Sequence, residues 1–538
     1  MGKRQRLFIG GLQVALIVLL ALSLVPGAFS QETPRRGGEL VYAVAEEPPS
    51  FDAHRETTFA MLHPIRPHYN LLVKFDLQNY PKVVGDVAES WDVSPDGLTF
   101  TFKIRTGIKF HDGSLLTAQD VKASYDKIIF PPPGVVSVRK PTYAMVELIQ
   151  TPDDQTVVFR LTWPSASFLT NLASPFNWIY KADILNKDPR WYEKNVLGTG
   201  PFKFVEYARG SHWRGKRNED YFVKDRPFLD SYRAIFIRET GARVAAVRGG
   251  RALIELRGFS PAHRDDLVRA LKDKIRVQES PWLCNLTLAI NNEKKPFDDV
   301  RVRRALTLAL DRWEGAKALS RIAIVKPVGG VLRPGYELAT PEEELMKLAG
   351  FGRDISAARQ EARRLLKEAG ISEGFKFTLK NRAIPMPYEH VGVFLIDQWR
   401  RVGLEVQHVV QDTGPYFADL RGGRFETNID FTCDFMDEPD IQLHKFISTD
   451  KSAANYSRYE DRILDTLYER QSRTRDPQER LQLVRQFERR VLDEKAYQFH
   501  ILWWYRIIPH WARLKGWKIS PAHHLDPDLE DIWLAPES

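Results

Sequence analysis

Apolar and polar positions alternate with a period of two through the first third of the chain. Residues 39–45 read as a strand that runs into the loop Glu46-Glu47-Pro48-Pro49-Ser50. Leu98-Thr99-Phe100-Thr101-Phe102-Lys103-Ile104 alternates without a break. Ser94-Pro95-Asp96-Gly97 just before it is turn chemistry that closes a hairpin with residues 89–93. Thr117-Ala118-Gln119-Asp120 is a capping box that opens a helix to about residue 129, and Pro131-Pro132-Pro133-Gly134 ends it. Residues 141–163 return to strand alternation around Pro152-Asp153-Asp154.

The second half predicts helices and strands in turn. A helix over 300–310 puts Val302, Leu306 and Leu310 on one face with Ala305 and Ala309. Residues 357–369 form an amphipathic helix closed by Gly370, before the alternating Phe375, Phe377 and Leu379. A helix over 390–402 closes at Gly403 and leads to a strand over 404–410, and Asp476-Pro477-Gln478-Glu479 caps a long helix to about residue 494. Units of this kind predict an α/β domain with a largely parallel sheet, whose ligands sit at the carboxyl ends of the strands.

Composition narrows the class. With 538 residues, 43% hydrophobic and 28% charged, the chain is neither collagen-like, disordered nor a disulfide scaffold. Three of the eight net positive charges are Lys3, Arg4 and Arg6, and the remainder is too small to imply nucleic acid. Those residues precede the uncharged stretch 7–24 and the small-residue site Ala28-Phe29-Ser30. That layout is a secretory signal peptide, residues 1–30, cut after Ser30. An uncleaved anchor is the competing reading, weakened by Gly10, Gly11 and Gln13. No cysteine near the cut invites a lipid, so the mature chain is expected free in an exported compartment.

Cys284 and Cys433 lie in strand-like stretches, 282–291 and 428–435. The exported compartment permits a bridge, but burial as small hydrophobes makes two free thiols the reading taken. Gly198-Thr199-Gly200-Pro201 is followed by strand residues, so it is a turn and not a phosphate loop. The histidines, including the adjacent His523-His524, lack metal-ligand spacing, and no GxSxG or SxxK occurs. No cofactor, metal or catalytic constellation is read.

Between Ile429 and Asp440, five acids interleave with apolar and aromatic residues where a strand ends. A carboxylate there suits a ligand ammonium, while Asp437, Glu438 and Asp440 read as a solvated turn and helix start. In Ile501-Leu502-Trp503-Trp504-Tyr505-Arg506, alternation places Trp503 and Tyr505 on one face and Trp504 on the other.

Val87-Ala88-Glu89-Ser90-Trp91-Asp92-Val93, Asp96-Gly97-Leu98-Thr99-Phe100-Thr101-Phe102-Lys103-Ile104-Arg105, Gly107-Ile108-Lys109-Phe110-His111-Asp112-Gly113 and Thr117-Ala118-Gln119-Asp120-Val121 resemble one signature block. Gly198-Thr199-Gly200-Pro201-Phe202, Asn291-Asn292, Pro296-Phe297-Asp298-Asp299-Val300-Arg301-Val302-Arg303 and Asp437-Glu438-Pro439 continue the likeness. The chain resembles extracellular solute-binding protein family 5, the peptide- and nickel-binding receptors of ABC importers.

The resemblance implies an α/β, bilobal periplasmic-binding-protein (type II, Venus-flytrap) fold with an extra inserted domain in the first lobe. Residues 37–67, 199–285 and 508–538 would form lobe one, 68–198 the insertion and 286–507 lobe two. It further implies a monomeric periplasmic receptor, not an enzyme, that captures a peptide or peptide-like solute and hands it to the transmembrane permease subunits of an ABC transporter. By the same resemblance Asp434 pairs with the ligand's amino terminus, with Phe435 as the alternative occupant of that register. Dipeptide-binding relatives carry an arginine before a Pro-Tyr; here Met386 precedes Pro387-Tyr388, and Arg382 is the nearest arginine. Arg55, Thr57 and Phe59 match a loop that contacts ligand backbone, Trp282 and Asn285 lie on the approach to the linking strands, and Trp503 and Tyr505 offer stacking. Alternatives are a nickel or other metal chelate, an oligosaccharide or an opine-like solute, and, in a different class, an exported hydrolase using the acid cluster.

Overall fold

The computed structural model describes residues 33–525 and 528–536, so the expected signal peptide lies outside the described residues. In chain order the strands begin with β1 (Glu39–Val44), β2 (Val73–Phe75), β3 (Val83–Gly85), β4 (Ala88–Val93), β5 (Thr99–Ile104) and β6 (Val146–Asp153). Next come β7 (Thr156–Leu161), β8 (Phe202–Ala208), β9 (His212–Arg217), β10 (Ser231–Phe236), β11 (Ile254–Glu255) and β12 (Ile275–Ile290). The last are β13 (Phe375–Arg382), β14 (Leu404–Gln411), β15 (Thr427–Cys433), β16 (Gln498–Trp511), β17 (Leu514–Lys515) and β18 (Trp533–Leu534).

Ten of them form one sheet in the order β14-β13-β15-β12-β16-β11-β1-β10-β9-β8. The expected largely parallel sheet is corrected to a mixed one. β13 runs parallel to β14 and β15, and β1 runs parallel to β10 and β11. Antiparallel pairs join β15 to β12, β12 to β16 and β16 to β11. The reason is that β12 and β16 are long, of 16 and 14 residues, and run the opposite way to their neighbours through the middle of the sheet. Each is buried over most of its length, which is why neither shows simple alternation in sequence.

β4, β5, β7 and β6 form a separate antiparallel sheet. Its alternation is as read: Phe100, Phe102 and Ile104 are buried while Thr99 and Thr101 keep some surface. Ser94 N–H donates to Thr99 O at 2.9 Å, and Gly97, at φ +72°, closes the hairpin. The capping box of Thr117 and Asp120 starts the helix Ala118–Ile129, which packs its apolar face onto this sheet.

Gly198 and Gly200 do form a turn into a strand, β8. A side chain at Gly200 would meet the backbone of His68 and Tyr69 at 2.4 Å, so the close approach of two chain segments requires glycine there.

One segment ties this smaller sheet to the far half of the large one. After β15, Met436 is fully buried among the core residues of the four-stranded part. Asp437 N–H donates to Tyr80 Oη at 2.7 Å. The Asp437 carboxylate, 0% exposed, takes a fork from Arg333 Nε and Nη2 at 3.0 and 2.7 Å. Glu438 pairs with Arg480 and caps the helix Pro439–Leu443. Asp440 accepts from Ser167, Gln471 and Ser472. The solvated turn expected of Asp437, Glu438 and Asp440 is therefore corrected: the helix start is present, but the acids sit in a packed junction. Their counter-charges come from residues 42–104 positions away along the chain, beyond the reach of any local reading.

Removing one partner from a buried, doubly hydrogen-bonded pair leaves an uncompensated charge. Arg333→Met is expected to lower stability to denaturant by about 3–5 kcal/mol, and the double change Arg333→Met/Asp437→Leu to recover most of it. A single-variant loss below about 1 kcal/mol would show that the pair behaves as an exposed one.

Candidate functional site

A cavity of about 680 Å³ opens between the two halves of the large sheet. Three strands reach it by their carboxyl ends: Glu255 ends β11, Arg382 ends β13 and Cys433 ends β15. This is the position that open α/β sheets favour, because the loops beyond strand ends leave a crevice. The loop after β1 adds Thr57 and Phe59, and β12 and β16 cross the floor.

Strand register decides which floor residues face the cavity. Pro281 pairs with Tyr505 and Asn285 with Trp503, so Trp282, Leu283 and Cys284 together oppose the single residue Trp504. Such a bulge re-aims side chains, and Trp282, Cys284 and Trp504 all line the cavity. Trp282 and Trp504 meet edge to face at 5.5 Å. Cys284 lies directly opposite Cys433 across β12 and β15, with Cα atoms 4.1 Å apart, and the two form a disulfide. The two free thiols expected from sequence are corrected. Only strand pairing across 149 residues could reveal that the two cysteines are neighbours.

Of the ten residues singled out from sequence, Thr57, Phe59, Trp282, Arg382 and Tyr505 line this cavity. Asp434 lines an adjoining cavity of about 260 Å³ that shares Phe431 and Cys433 with the first. The other four lie elsewhere. Arg55 turns to Glu193, with Nη1 donating to its carboxylate at 3.0 Å. Asn285 is buried between strands and donates to Thr432 Oγ1. Phe435 packs edge to face on Phe176, against the first-half core. Trp503 is 1% exposed, and its indole donates to Gly330 O at 3.1 Å. The backbone N–H groups of Trp503 and Tyr505 donate to Pro327 and Ile324, so β16 leans here on a segment that no strand pattern announced.

Sequence reasoning missed Arg257, Tyr388, Trp504 and the wall formed by His523 and His524. Arg257 follows a two-residue strand, too short to carry a period. Trp504 was placed on the face opposite Tyr505 by simple alternation, yet both line the cavity, as do Arg506 and Ile507 after them. His523 and His524 were visible as an adjacent pair, but a cavity wall was not. They are neutral: burial holds both well below the ordinary histidine value, and pushes nearby His63 down to about 3. Among the described residues no cluster of three or more His, Cys, Asp or Glu side chains is arranged to hold a metal ion.

The two cavities differ in charge. Arg382 is held by aromatic rings, with its guanidinium 5.0–5.8 Å from the centroids of Tyr388, Tyr416, Phe417 and Phe431. Its Nη1 donates to Tyr388 Oη at 3.2 Å. Asp434 has the opposite character. Burial pushes its carboxyl up to about 7, Lys445 holds it down and Asp437 adds to the rise. Lys445 is itself engaged by Asp430 and by Phe431 O. No hydrogen bond or ion pair from the described residues reaches the Asp434 carboxyl. A half-buried carboxylate with no partner among the described residues and a ring-lined guanidinium in adjoining cavities can receive the two ends of a zwitterion.

The model of the bacterial extracellular solute-binding proteins, family 5, matches residues 82–453. The chain is 28% identical to the dipeptide-binding protein of Escherichia coli (strain K12) over 540 residues, 94% of this chain and 97% of that one. It is 26% identical to the oligopeptide-binding protein AppA of Bacillus subtilis (strain 168), covering 99% of this chain and 100% of that one. The solved structure of the periplasmic binding protein DppA from Helicobacter pylori, in complex with peptide STSA, superposes with a TM-score of 0.73 at 25% identity. It covers 93% of this chain and 98% of that one.

Asp434 has a pKa of about 7 in the folded chain, against 3.8 for an ordinary aspartate. The folded state therefore binds its proton more tightly, and this contribution to stability, full below about pH 4, is lost as pH rises toward 7. Asp434→Asn is expected to raise the melting temperature of the unliganded protein at pH 8 and to change it little at pH 4. Equal shifts at the two pH values would show that the carboxyl is not desolvated.

Proposed function

The chain belongs to the bacterial extracellular solute-binding proteins of family 5, and from that premise we propose that it captures a peptide between two lobes and delivers it to the permease of an ABC importer. One observation carries the reading. The cavity takes walls from both halves of the sheet, with Arg382 in it and Asp434 in the adjoining cavity. Asp434 receives the peptide's ammonium and Arg382 its carboxylate, while Thr57, Phe59, Trp282 and Tyr505 supply the surface between. The names of the E. coli, B. subtilis and H. pylori proteins, each a peptide binder, support a peptide over a sugar or a chelate.

In this reading lobe one comprises residues 37–67, 199–285 and 508–538, the insertion 68–198 and lobe two 286–507. β1 and β8–β11 then fall in lobe one and β13–β15 in lobe two, with β12 and β16 as the connecting strands. A ligand touching both lobes stabilises the closed arrangement over the open one, which is all the mechanism requires. No bond is broken, and the peptide is released intact to the permease. The receptor works as a monomer in the periplasm after removal of residues 1–30. No helix of the described residues is long and apolar enough to cross a membrane.

Titration calorimetry with short alanine peptides, N-acetylated peptides, sugars and metal chelates tests the proposal. Free peptides are expected to bind, with Asp434→Ala weakening them by about 30-fold or more. Binding should also weaken as pH falls below about 7, because protonated Asp434 no longer attracts an ammonium. A response confined to sugars or chelates would overturn the peptide reading, and cleaved peptide recovered after incubation would overturn the binding-only mechanism.

A further inference from the structure

The charges around the large cavity do not balance, and the imbalance bears on which peptides the cavity takes; this rests on the peptide reading above. Four arginines line the cavity, Arg243, Arg257, Arg382 and Arg506, with Glu255 as the one acid among its lining residues. Two of the arginines are occupied with the protein. Arg243 donates to Ile237 O and Thr240 Oγ1, and Arg506, fully buried, donates to Ser520 O and Leu256 O. Glu255 is buried and accepts from the backbone N–H groups of Arg257 and Gly258 at 3.3 and 2.6 Å, and its one negative charge is shared between Arg243 and Arg257.

Arg257 and Arg382 remain. Neither has a carboxylate within ion-pair distance among the described residues, although Arg382 keeps its bonds to Tyr388 and Thr413. Arg257 extends from lobe one over the Phe59 ring, 4.9 Å from its centroid, with Trp282 beyond at 6.0 Å. Arg382 stands on lobe two. Both charges act on Tyr388, Arg382 through its hydrogen bond and Arg257 across space, with Asp430 opposing them there. Asp434 does not neutralise them, because its charged neighbours are Lys445 and Asp437. Glu255 and Glu46 offset part of the Arg257 charge without pairing with it, and beside aromatic walls a guanidinium that lacks an ion-pair partner keeps an electrostatic cost that a bound anion relieves.

A peptide's terminal carboxylate satisfies one guanidinium. We propose that the cavity selects peptides carrying an acidic side chain in addition to the terminal carboxylate, and that Arg257, presented over Phe59 and Trp282, takes this second anionic group. Arg257 is then a specificity residue on the lobe opposite Arg382, so an acidic peptide draws both lobes together more strongly than a neutral one.

The test is titration calorimetry of the full mature chain with alanine tripeptides bearing one glutamate at each position in turn, each against its glutamine counterpart. At least one glutamate peptide is expected to bind about tenfold or more tighter than its counterpart. In Arg257→Gln that ratio should fall to within about twofold, while Arg257→Lys, which keeps the charge, should retain part of it. Arg257 makes no side-chain hydrogen bond to the described residues and its charge is desolvated, so a melting temperature no lower than that of the unmodified chain is expected in Arg257→Gln and separates loss of preference from loss of fold. Glutamate and glutamine peptides binding alike in the unmodified chain, or a preference that survives Arg257→Gln, would overturn this inference and leave the peptide reading standing. If no tripeptide of either kind binds, the peptide reading falls and this inference falls with it.

Discussion

The pairing of β12 with β16 is the constraint on which the rest of the structure depends. Both strands run antiparallel to each other across the large sheet, with β15 and β13 on one side and β11 and β1 on the other. Without them the sheet would be two separate pieces with independent cores. Their register is interrupted twice, between Pro281 and Asn285 and again between Leu286 and Thr287. The first of these falls where the cavity lies, so the element that joins the two halves also presents Trp282, Cys284 and Trp504 to the space between them.

A second dependence runs through the segment after β15. Met436 enters the core of the four-stranded part, and Asp437, Glu438 and Asp440 each find partners there or on the neighbouring helices. Buried carboxylates are tolerated because each has a cation or several donors, and the arrangement fixes where β15 ends. Asp434 and the disulfide at Cys433 are positioned by that same anchoring. The carboxyl of Asp434 is thus held without an ion-pair partner among the described residues, by a segment whose other acids are all satisfied.

Much of this was legible locally. The alternation of Phe100, Phe102 and Ile104, the hairpin turn at Gly97 and the capping box at Thr117 depend on residues within a few positions of one another, and each is present where the pattern placed it. Gly403 likewise follows the helix His390–Arg400 and precedes β14. Thr57, Phe59, Trp282, Arg382 and Tyr505 were found as cavity residues because the loops and strand ends that carry them follow a family pattern readable along the chain. Arg55, Asn285, Phe435 and Trp503 belong to the same stretches but point elsewhere, since a shift of one residue at a strand end or bulge reverses the direction of a side chain.

The sequence by itself determined the period of each element, its caps and turns, and the family to which their order belongs. All of these are set by contacts between near neighbours. Tertiary structure alone decided the mixed sense of the sheet, the bond between Cys284 and Cys433, the burial of Asp437 and Glu438, and the meeting of Arg257 and Arg382 around one cavity. Each of these joins residues tens to hundreds of positions apart. Which distant partners meet depends on the packing of whole strands and helices against one another, and no local pattern encodes that choice.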